Sequence, residues 1–164
     1  MNKIIKYLIM SALVLQMYGC KDETLTLQRV PYTGSEIKTD GYYYSYYVNS
    51  TMEEYIVAFF LFRNGIILSA GAYDKTNLET LEKKMLERYE SLQSEKIGWG
   101  VFIVSDNKIE YEQWSTSGGP GGGLPVFKSS YDIENDSTLI NPAGIIYYFK
   151  QFSPKPDSTN NFIK

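Results

Sequence analysis

Hydrophobic and polar residues alternate along much of the chain from Gly41 onward, as they do in β-strands that bury one face. The stretch Gly41–Val48 has three tyrosines and a valine on one face, and two tyrosines and a serine on the other. Tyr55–Arg63 is apolar on both faces up to its last residue, which predicts a central strand. Asn64-Gly65 separates it from the apolar run Ile66–Ala70. This pattern predicts a hairpin with a type I′ turn, in which both turn residues have positive φ.

One helical pattern interrupts the strands. Apolar residues recur three and four positions apart, which is typical of an amphipathic helix. They are Leu78, Leu81, Met85, Tyr89 and Leu92. Thr76 to Glu79 fits a capping box at the start of this helix. We expect the helix to cover an open face or end of the sheet.

A second hairpin is predicted over residues 99–113, with its turn at Ser105–Lys108. Ser115–Pro125 follows, with five glycines and two prolines in eleven residues. This composition predicts a mobile connector or, alternatively, a lid over a binding site. Alternation then predicts strands over 126–133, 137–140 and 145–152.

These elements predict a mainly β (α+β) fold. We expect a curved or barrel-like antiparallel sheet of seven or eight strands, with one amphipathic helix inserted after the third strand. Closure is favoured because it removes exposed strand edges. The pattern is loosely similar to lipocalin-like small barrels, which place their helix elsewhere, so this likeness implies no function.

The N-terminus has the three-part layout of a secretory signal. Lys3 and Lys6 precede the apolar stretch Tyr7–Leu15, and Gly19 stands just before Cys20. The apolar stretch is short for a membrane span. The alternative is a buried N-terminal helix.

Residues 1–23 resemble a bacterial lipoprotein signal of the Bacteroidetes type. The resemblance implies cleavage before Cys20, acylation of Cys20 with chains such as palmitate, and anchoring in the outer membrane. Lys21, Asp22 and Glu23 resemble the short charged signal that directs such lipoproteins to the cell surface. The alternative is a periplasm-facing anchor.

The predicted organisation has four parts. A signal peptide spans 1–19, and the lipidated cysteine with a tether spans 20–40, where 24–27 could instead form an edge strand. A single β-rich domain spans 41–152, and a flexible tail spans 153–164.

Composition excludes several kinds of chemistry. The chain has no histidine and one cysteine, so histidine-based catalysis, intrachain disulfides and cysteine or histidine metal sites are excluded. Without residues 1–19 the formal net charge is −5, since 14 basic residues oppose 19 acidic ones. An acidic body is a poor binder of phosphate backbones, so no nucleic-acid partner is expected. No cofactor is predicted.

Two sets of residues are candidates for chemistry or binding. Glu110 and Glu112 share one strand face at a separation of about 6.5–7 Å, which would suit an inverting glycosidase pair or, alternatively, a solvated face. Tyr43, Tyr47 and Trp114 are predicted on the more polar faces of their strands, where they could contact a ligand or be covered by another layer.

Asp136-Ser137-Thr138 and Asp157-Ser158-Thr159 resemble the short site at which Bacteroidetes O-glycosylate exported proteins. The resemblance implies Ser137 and Ser158 as acceptors, although short patterns of this kind also arise by chance.

The sequence therefore predicts a non-enzymatic, lipid-anchored envelope protein that binds a glycan, a peptide, an apolar small molecule or an envelope partner. The alternatives are a carboxylate-based hydrolase and a purely structural or adhesive surface protein. The structural alternative predicts a filled barrel without a cavity.

Overall fold

A computed structural model describes residues 21–116 and 122–164. The predicted signal peptide and Cys20 lie outside the described residues. In chain order the elements are β1 (Gly41–Val48), β2 (Glu54–Leu61), β3 (Ile66–Asp74), α1 (Leu78–Ser94), β4 (Trp99–Ser105), β5 (Lys108–Trp114), β6 (Val126–Asn135), β7 (Thr138–Ile140) and β8 (Ile146–Gln151).

The strands form a closed antiparallel barrel in sequence order. The closing seam joins β1 to β8, with Gly41 opposite Gln151 and Tyr44 opposite Tyr148. Closure pairs the first and last strands of the sheet with each other, which reduces the exposed strand edge. The prediction of a mainly β, barrel-like fold with one helix after the third strand is confirmed, and the described residues contain eight strands.

The hairpin between β2 and β3 is confirmed, but its turn is not the predicted type. Of Asn64 and Gly65, only Gly65 has positive φ, at 82°. The Gly65 N–H donates to the Phe62 carbonyl at 2.9 Å, which gives a three-residue loop with glycine in the left-handed position. The turn with positive φ at both positions lies instead between β4 and β5, at Asp106 and Asn107.

The helix begins one residue later than the capping-box pattern predicts. Asn77, rather than Thr76, is the N-cap, and its side chain accepts a hydrogen bond from the Thr80 N–H at 2.8 Å. The predicted apolar stripe is confirmed. Leu81, Met85 and Leu92 are buried, and Leu78 and Tyr89 pack at the edge of the same cluster.

Two hydrophobic clusters lie on opposite sides of the barrel wall, because alternate residues of a strand point in opposite directions. The inner cluster takes residues from all eight strands, including Tyr43, Phe59, Ile67, Phe102, Ile109, Tyr131, Leu139 and Phe149. The outer cluster joins the helix to β1–β5 through Tyr42, Phe60, Leu68, Leu81, Met85, Trp99 and Trp114. Both faces of β2 are therefore apolar because both are covered.

The segment 21–40 has no helix or strand, so the alternative of an edge strand at 24–27 is wrong. Its residues nevertheless lie against the barrel. Tyr32 and Ile37 join the inner cluster, and the Lys38 N–H donates to the Asp136 carbonyl at 3.0 Å. They cover the end of the barrel that carries the β2–β3, β4–β5 and β6–β7 turns, termed the closed end.

The residues after β8 also contact the barrel and the helix. Phe162 packs on the outer cluster, and the Tyr89 hydroxyl donates to the Asp157 carbonyl at 2.6 Å. The Lys155 ammonium donates to the Leu61 carbonyl at 2.7 Å, near the closed end. Burial lowers the pKa of Lys155 to about 8. The segment predicted as a flexible tail thus has specific contacts on two surfaces.

Candidate functional site

An interior cavity lies toward the opposite end of the barrel, which is termed the mouth. Here β1, β5 and β7 end and β2, β6 and β8 begin. The cavity has a volume of about 190 Å³. The side chains on its wall and floor include Val57, Phe59, Ile67, Ser69, Tyr111, Gln113, Tyr131 and Tyr147.

Packed aromatic rings form the floor of the cavity. Phe59 stacks on Tyr131 with ring centroids 5.0 Å apart and an interplanar angle of 15°. Tyr111 also stacks on Tyr131, at 5.2 Å and 9°, and Tyr147 meets it edge-on at 5.1 Å. Such pairs contribute about 0.5–1.5 kcal/mol each beyond burial. The floor is therefore a well-packed surface between the cavity and the closed end.

The polar groups of the cavity are uncharged. The buried Tyr131 hydroxyl lies 3.5 Å from the Tyr111 hydroxyl. Burial raises the pKa of Tyr131 well above its usual value, and the neighbouring phenols of Tyr111 and Tyr147 raise it further. Ser69 and Gln113 add a hydroxyl and an amide to the wall. None of the described residues that line the cavity is charged, so the site presents neutral donors and acceptors on an aromatic surface.

A β-bulge shapes the wall that β3 contributes. Ala58 of β2 pairs with Gly71, whereas Phe59 pairs with Ser69, so Ala70 is an extra residue on β3. Ser69 lines the cavity while Ala70 packs in the outer cluster. Gly71 has φ of 105°, which glycine adopts without the clash that a side chain would cause. Because of the bulge, Ala70 and Gly71 both lie on the outward side, and the inward position of β3 moves to Ala72, opposite Val57.

Only one of the three aromatic residues predicted as ligand contacts is exposed at the mouth. Tyr47 is on its rim and is 45% exposed. Tyr43 is buried near the closed end, where its hydroxyl donates to the Asp136 carbonyl at 3.0 Å. Trp114 points outward, as predicted, but is buried, and its indole N–H donates to the Glu23 carbonyl at 2.7 Å. The structure covers Tyr43 and Trp114, as the alternative interpretation expected, because the N-terminal segment packs over them.

Glu110 and Glu112 lie on the same strand but have different environments. Glu110 is exposed, whereas the Glu112 side chain is 8% exposed and pairs with Lys128 at 2.7 Å. Glu112 also accepts the N–H groups of Thr26 and Leu27, at 2.6 and 2.9 Å. Burial opposes ionisation, but these partners outweigh it and lower the pKa of Glu112 to about 2. A carboxyl so acidic is not a proton donor near pH 7, and its oxygens hold the N-terminal segment to β5.

The residues predicted as an export signal contact the β5–β6 loop. The Asp22 carboxylate accepts the Leu124 N–H at 2.9 Å, which lowers its pKa. The Glu23 N–H donates to the Leu124 carbonyl at 2.9 Å, and its carboxylate accepts the Val126 N–H at 2.8 Å. Lys21 is exposed. Two of the three residues therefore fasten the chain to the barrel near the mouth.

The two predicted glycosylation acceptors are both partly exposed. The Ser137 hydroxyl donates to the Asp136 carboxylate and accepts from Lys38 at 2.9 Å. The Ser158 hydroxyl accepts from the Asn64 amide at 2.8 Å. Their use as acceptors stays a prediction.

Sequence analysis missed most of the cavity lining, because a pattern of alternation does not say which face of a strand points inward. Alternation does place Tyr111 and Gln113 on one face of their predicted strand, and Ser129 and Tyr131 on one face of the next. These faces combine aromatic rings with small polar groups, and that combination is the signal that could have identified the site.

The described ranges hold no group of three or more histidine, cysteine, aspartate or glutamate side chains placed to bind a metal ion. No helix within these ranges is long and apolar enough to cross a bilayer. Comparisons with protein-family models, curated proteins and solved structures gave no match.

Proposed function

We propose that the protein is a lipid-anchored envelope protein that binds a small, neutral, largely apolar ligand inside the barrel. The observation that carries this proposal is the uncharged cavity of about 190 Å³ on a floor of stacked aromatic rings. The barrel interior is therefore not completely filled by side chains, unlike the interior that the structural alternative requires.

The size of the cavity favours a ligand of one or two rings. An apolar cavity of about 150 Å³ in another protein binds benzene, whereas sites for drug-sized ligands have about 300–1,000 Å³. The aromatic floor offers flat surfaces for stacking. Glycans and peptides are larger than this space, so among the predicted ligands the apolar small molecule fits best.

The chemistry of the lining favours a neutral ligand with one or two polar groups. A charged ligand would lose its hydration without gaining an opposite charge, and burying an unpaired charge is costly. The Gln113 amide can both donate and accept hydrogen bonds, and the Ser69 and Tyr131 hydroxyls can do the same. A ligand hydroxyl or ring N–H would find partners among them.

Indole is a suitable probe, with indole-3-acetate as its charged counterpart. We expect isothermal titration of the full chain to detect indole binding and to detect no binding of indole-3-acetate. Ser69→Leu places a larger apolar side chain in the cavity and should abolish indole binding. Ser130 on β6 faces outward, because it pairs with the outward-facing Glu110. Ser130→Leu makes the same exchange outside the cavity and should leave indole binding unchanged.

Failure of indole and benzene to bind the wild type would contradict the ligand proposal. Equal affinity of the wild type and Ser69→Leu for indole would also contradict it. Circular dichroism of both serine variants would show that the barrel remains folded.

The proposed location rests on the resemblance of residues 1–23 to a lipoprotein signal. Acylation of Cys20 would anchor the chain in the outer membrane, and Lys21, Asp22 and Glu23 would direct it to the cell surface. Cys20→Ala should release the protein from membranes and prevent acyl labelling. Unchanged membrane partition of this variant would contradict the anchor.

Surface exposure is tested by protease shaving of intact cells. Replacing Lys21, Asp22 and Glu23 by alanine should protect the protein from the protease. Because Asp22 also pairs with Lys96 at 2.9 Å, Lys96→Ala is the control for the loss of this ion pair. Shaving of the triple variant equal to that of Lys96→Ala would contradict a sorting role for the three residues.

A further inference from the structure

We propose that the rim of the mouth docks on a lipid bilayer, so that the barrel opens toward the membrane. This inference rests on the proposed lipid anchor and adds an orientation to it. The docking surface is termed the apolar rim and consists of Tyr46, Tyr47, Val48, Met52, Phe127, Ile146 and Tyr148.

Exposed large hydrophobic side chains are concentrated at this end of the molecule. Among the described residues nine large hydrophobics are exposed, and only Val30 and Leu86 lie outside the apolar rim. Met52 is 81% exposed in the loop between β1 and β2. Single exposed apolar residues are common on protein surfaces, whereas a set confined to one end marks an interaction surface.

The depth and the residue composition of the apolar rim suit the interfacial region of a lipid bilayer. Val48 and Ile146 are at strand ends, and Tyr46 and Tyr148 are each two residues farther down the wall, or about 7 Å. Amphipathic surfaces that bind membranes sink about 5–10 Å into the boundary between headgroups and acyl chains. Tyrosine rings favour that level, because one end is apolar and the other polar.

The first described residues of the chain lie at the same end of the barrel. Lys21, the first described residue, has its carbonyl so close to Gly123 that a side chain at Gly123 would clash with it. The contacts of Asp22 and Glu23 with Leu124 fix this point beside the β5–β6 loop. Cys20 is the chain neighbour of Lys21. A lipid on residue 20 would hold this side of the mouth at the membrane surface.

The anchor and most of the apolar rim lie on opposite sides of the mouth. The anchor leaves beside β5 and β6, whereas Tyr46, Val48, Ile146 and Tyr148 belong to β1 and β8. In this eight-stranded barrel the pair opposite β8 and β1 is β4 and β5, so the β5–β6 loop lies across the opening from β8 and β1, offset by one strand. Contact at both sides would hold the mouth flat against the bilayer rather than letting the barrel hang from one point.

The charges near the apolar rim favour zwitterionic lipid over anionic lipid. Glu53 lies in the β1–β2 loop, where the Asn49 and Thr51 side chains hydrogen-bond its carboxylate and lower its pKa. Lys75 pairs with Glu54 rather than adding a free positive charge. Docking would therefore come from apolar contact and would gain little from salt-sensitive attraction to acidic headgroups.

This orientation specifies how a ligand would reach the cavity. Phe127 is half exposed and its ring lies 6.2 Å from that of Tyr111, so it joins the apolar rim to the cavity floor. An apolar ligand dissolved in the bilayer would meet this continuous aromatic surface. The mouth would thus exchange ligand with the membrane rather than with bulk water.

Depth-dependent fluorescence quenching tests the orientation. The full-chain lipoprotein is placed on phosphatidylcholine vesicles with brominated acyl chains, and Tyr46→Trp is compared with Leu86→Trp. Both positions are exposed, but Leu86 is on the helix. Trp99 and Trp114 are buried in every variant and give a constant background. We expect about twofold quenching of the added emission in Tyr46→Trp, since interfacial rings sit near the acyl boundary, and none in Leu86→Trp.

Equal quenching at the two positions, or none at either on vesicle-bound protein, would overturn the docking inference. Absence of quenching together with a dimer in sedimentation would assign the apolar rim to a second copy of the chain instead.

Failure of the anchor is detected separately, by flotation of the wild type and Cys20→Ala with vesicles. If the wild type carries no acyl chain, its single thiol can be coupled to a maleimide lipid and the quenching repeated. The docking inference is therefore tested whether or not Cys20 is acylated in the cell.

Discussion

The closed end and the mouth use tyrosine differently, although both belong to the same barrel interior. At the closed end the Tyr43 hydroxyl donates to the Asp136 carbonyl at 3.0 Å, and its ring stacks on Phe59. On the floor of the cavity below the mouth, the Tyr131 hydroxyl is 3.5 Å from that of Tyr111. The Tyr43 hydroxyl donates to the protein backbone, whereas the Tyr131 hydroxyl retains hydrogen-bonding capacity that a ligand could use.

The two ends of the barrel differ because the N-terminal segment covers only the closed end. It places Tyr32 and Ile37 over the closed end, whereas near the mouth it only borders the opening through Asp22 and Glu23. Barrels of eight strands can fill with side chains or hold one small ligand. In this chain the inner faces near the closed end are filled, and those near the mouth are not.

The largest expected effect is a difference in stability between two side-chain truncations on the same face of β1. Tyr43→Ala removes a buried ring that packs on Phe59 and Phe149, so it should lower the free energy of unfolding by about 3–5 kcal/mol. Tyr47→Ala removes a half-exposed ring at the mouth and should lower it by less than about 1 kcal/mol. Urea denaturation measures both. Similar losses for the two variants would remove the distinction between the ends.

The second effect concerns the hydrogen bonds that hold the N-terminal segment to β5. Glu112→Gln should weaken the bonds to Thr26, Leu27 and Lys128. Because the pKa falls from 4.5 to about 2 on folding, the ionised group stabilises the fold by about 3 kcal/mol near pH 7. Glu110→Gln is the matched control and should change stability by less than about 0.5 kcal/mol.

The pH dependence of this effect has a definite sign. A carboxyl whose pKa is lowered by folding stabilises the protein above its unfolded pKa, and this stability is lost as the pH falls through the folded value. The difference between wild type and Glu112→Gln should therefore be full above pH 5 and should shrink toward pH 2. A difference that stays constant from pH 7 to pH 2 would refute the carboxylate's role.

The third effect is smaller and compares two hydroxyl deletions. Tyr43→Phe removes the Tyr43 donor from the Lys38 carbonyl and one of the two donors of the Asp136 carbonyl, which keeps the Lys38 N–H, and should cost about 1–1.5 kcal/mol. Tyr131→Phe removes a hydroxyl that lies 3.5 Å from the Tyr111 hydroxyl. It should lower the free energy of unfolding by less than about 0.5 kcal/mol. In indole titrations, however, Tyr131→Phe should alter affinity whereas Tyr43→Phe should not. A reversed pattern would mean that the polar group of the ligand lies elsewhere.

The strands, the helix and the hairpins of this fold could be predicted because each depends on local alternation or periodicity. The inward face could not, since both faces of β2 are apolar and alternation treats them alike. Tyr43 and Trp114 were predicted as ligand contacts because their faces look polar in sequence. They are covered by a segment with little apolar character, whose position depends on long-range bonds such as those from Thr26 to Glu112.

The β3 bulge was also beyond sequence reasoning. Ala70 interrupts the pairing with β2 at one position, and nothing in the surrounding run of small and apolar residues marks it. Ser69 precedes the bulge and shares the inward face of Ile67 by ordinary alternation, whereas beyond the bulge the inward position of β3 moves to Ala72, opposite Val57.

The central claim is that the barrel holds a ligand at the mouth and is filled at the closed end. The most direct measurement is methyl NMR of the full chain during titration with indole. We expect shift changes at Val57 and Ile67, which line the cavity, and none at Ile133 and Leu139, which pack near the closed end. Absence of any saturable change, or changes confined to methyl groups outside the barrel such as those of Leu27, would contradict the claim.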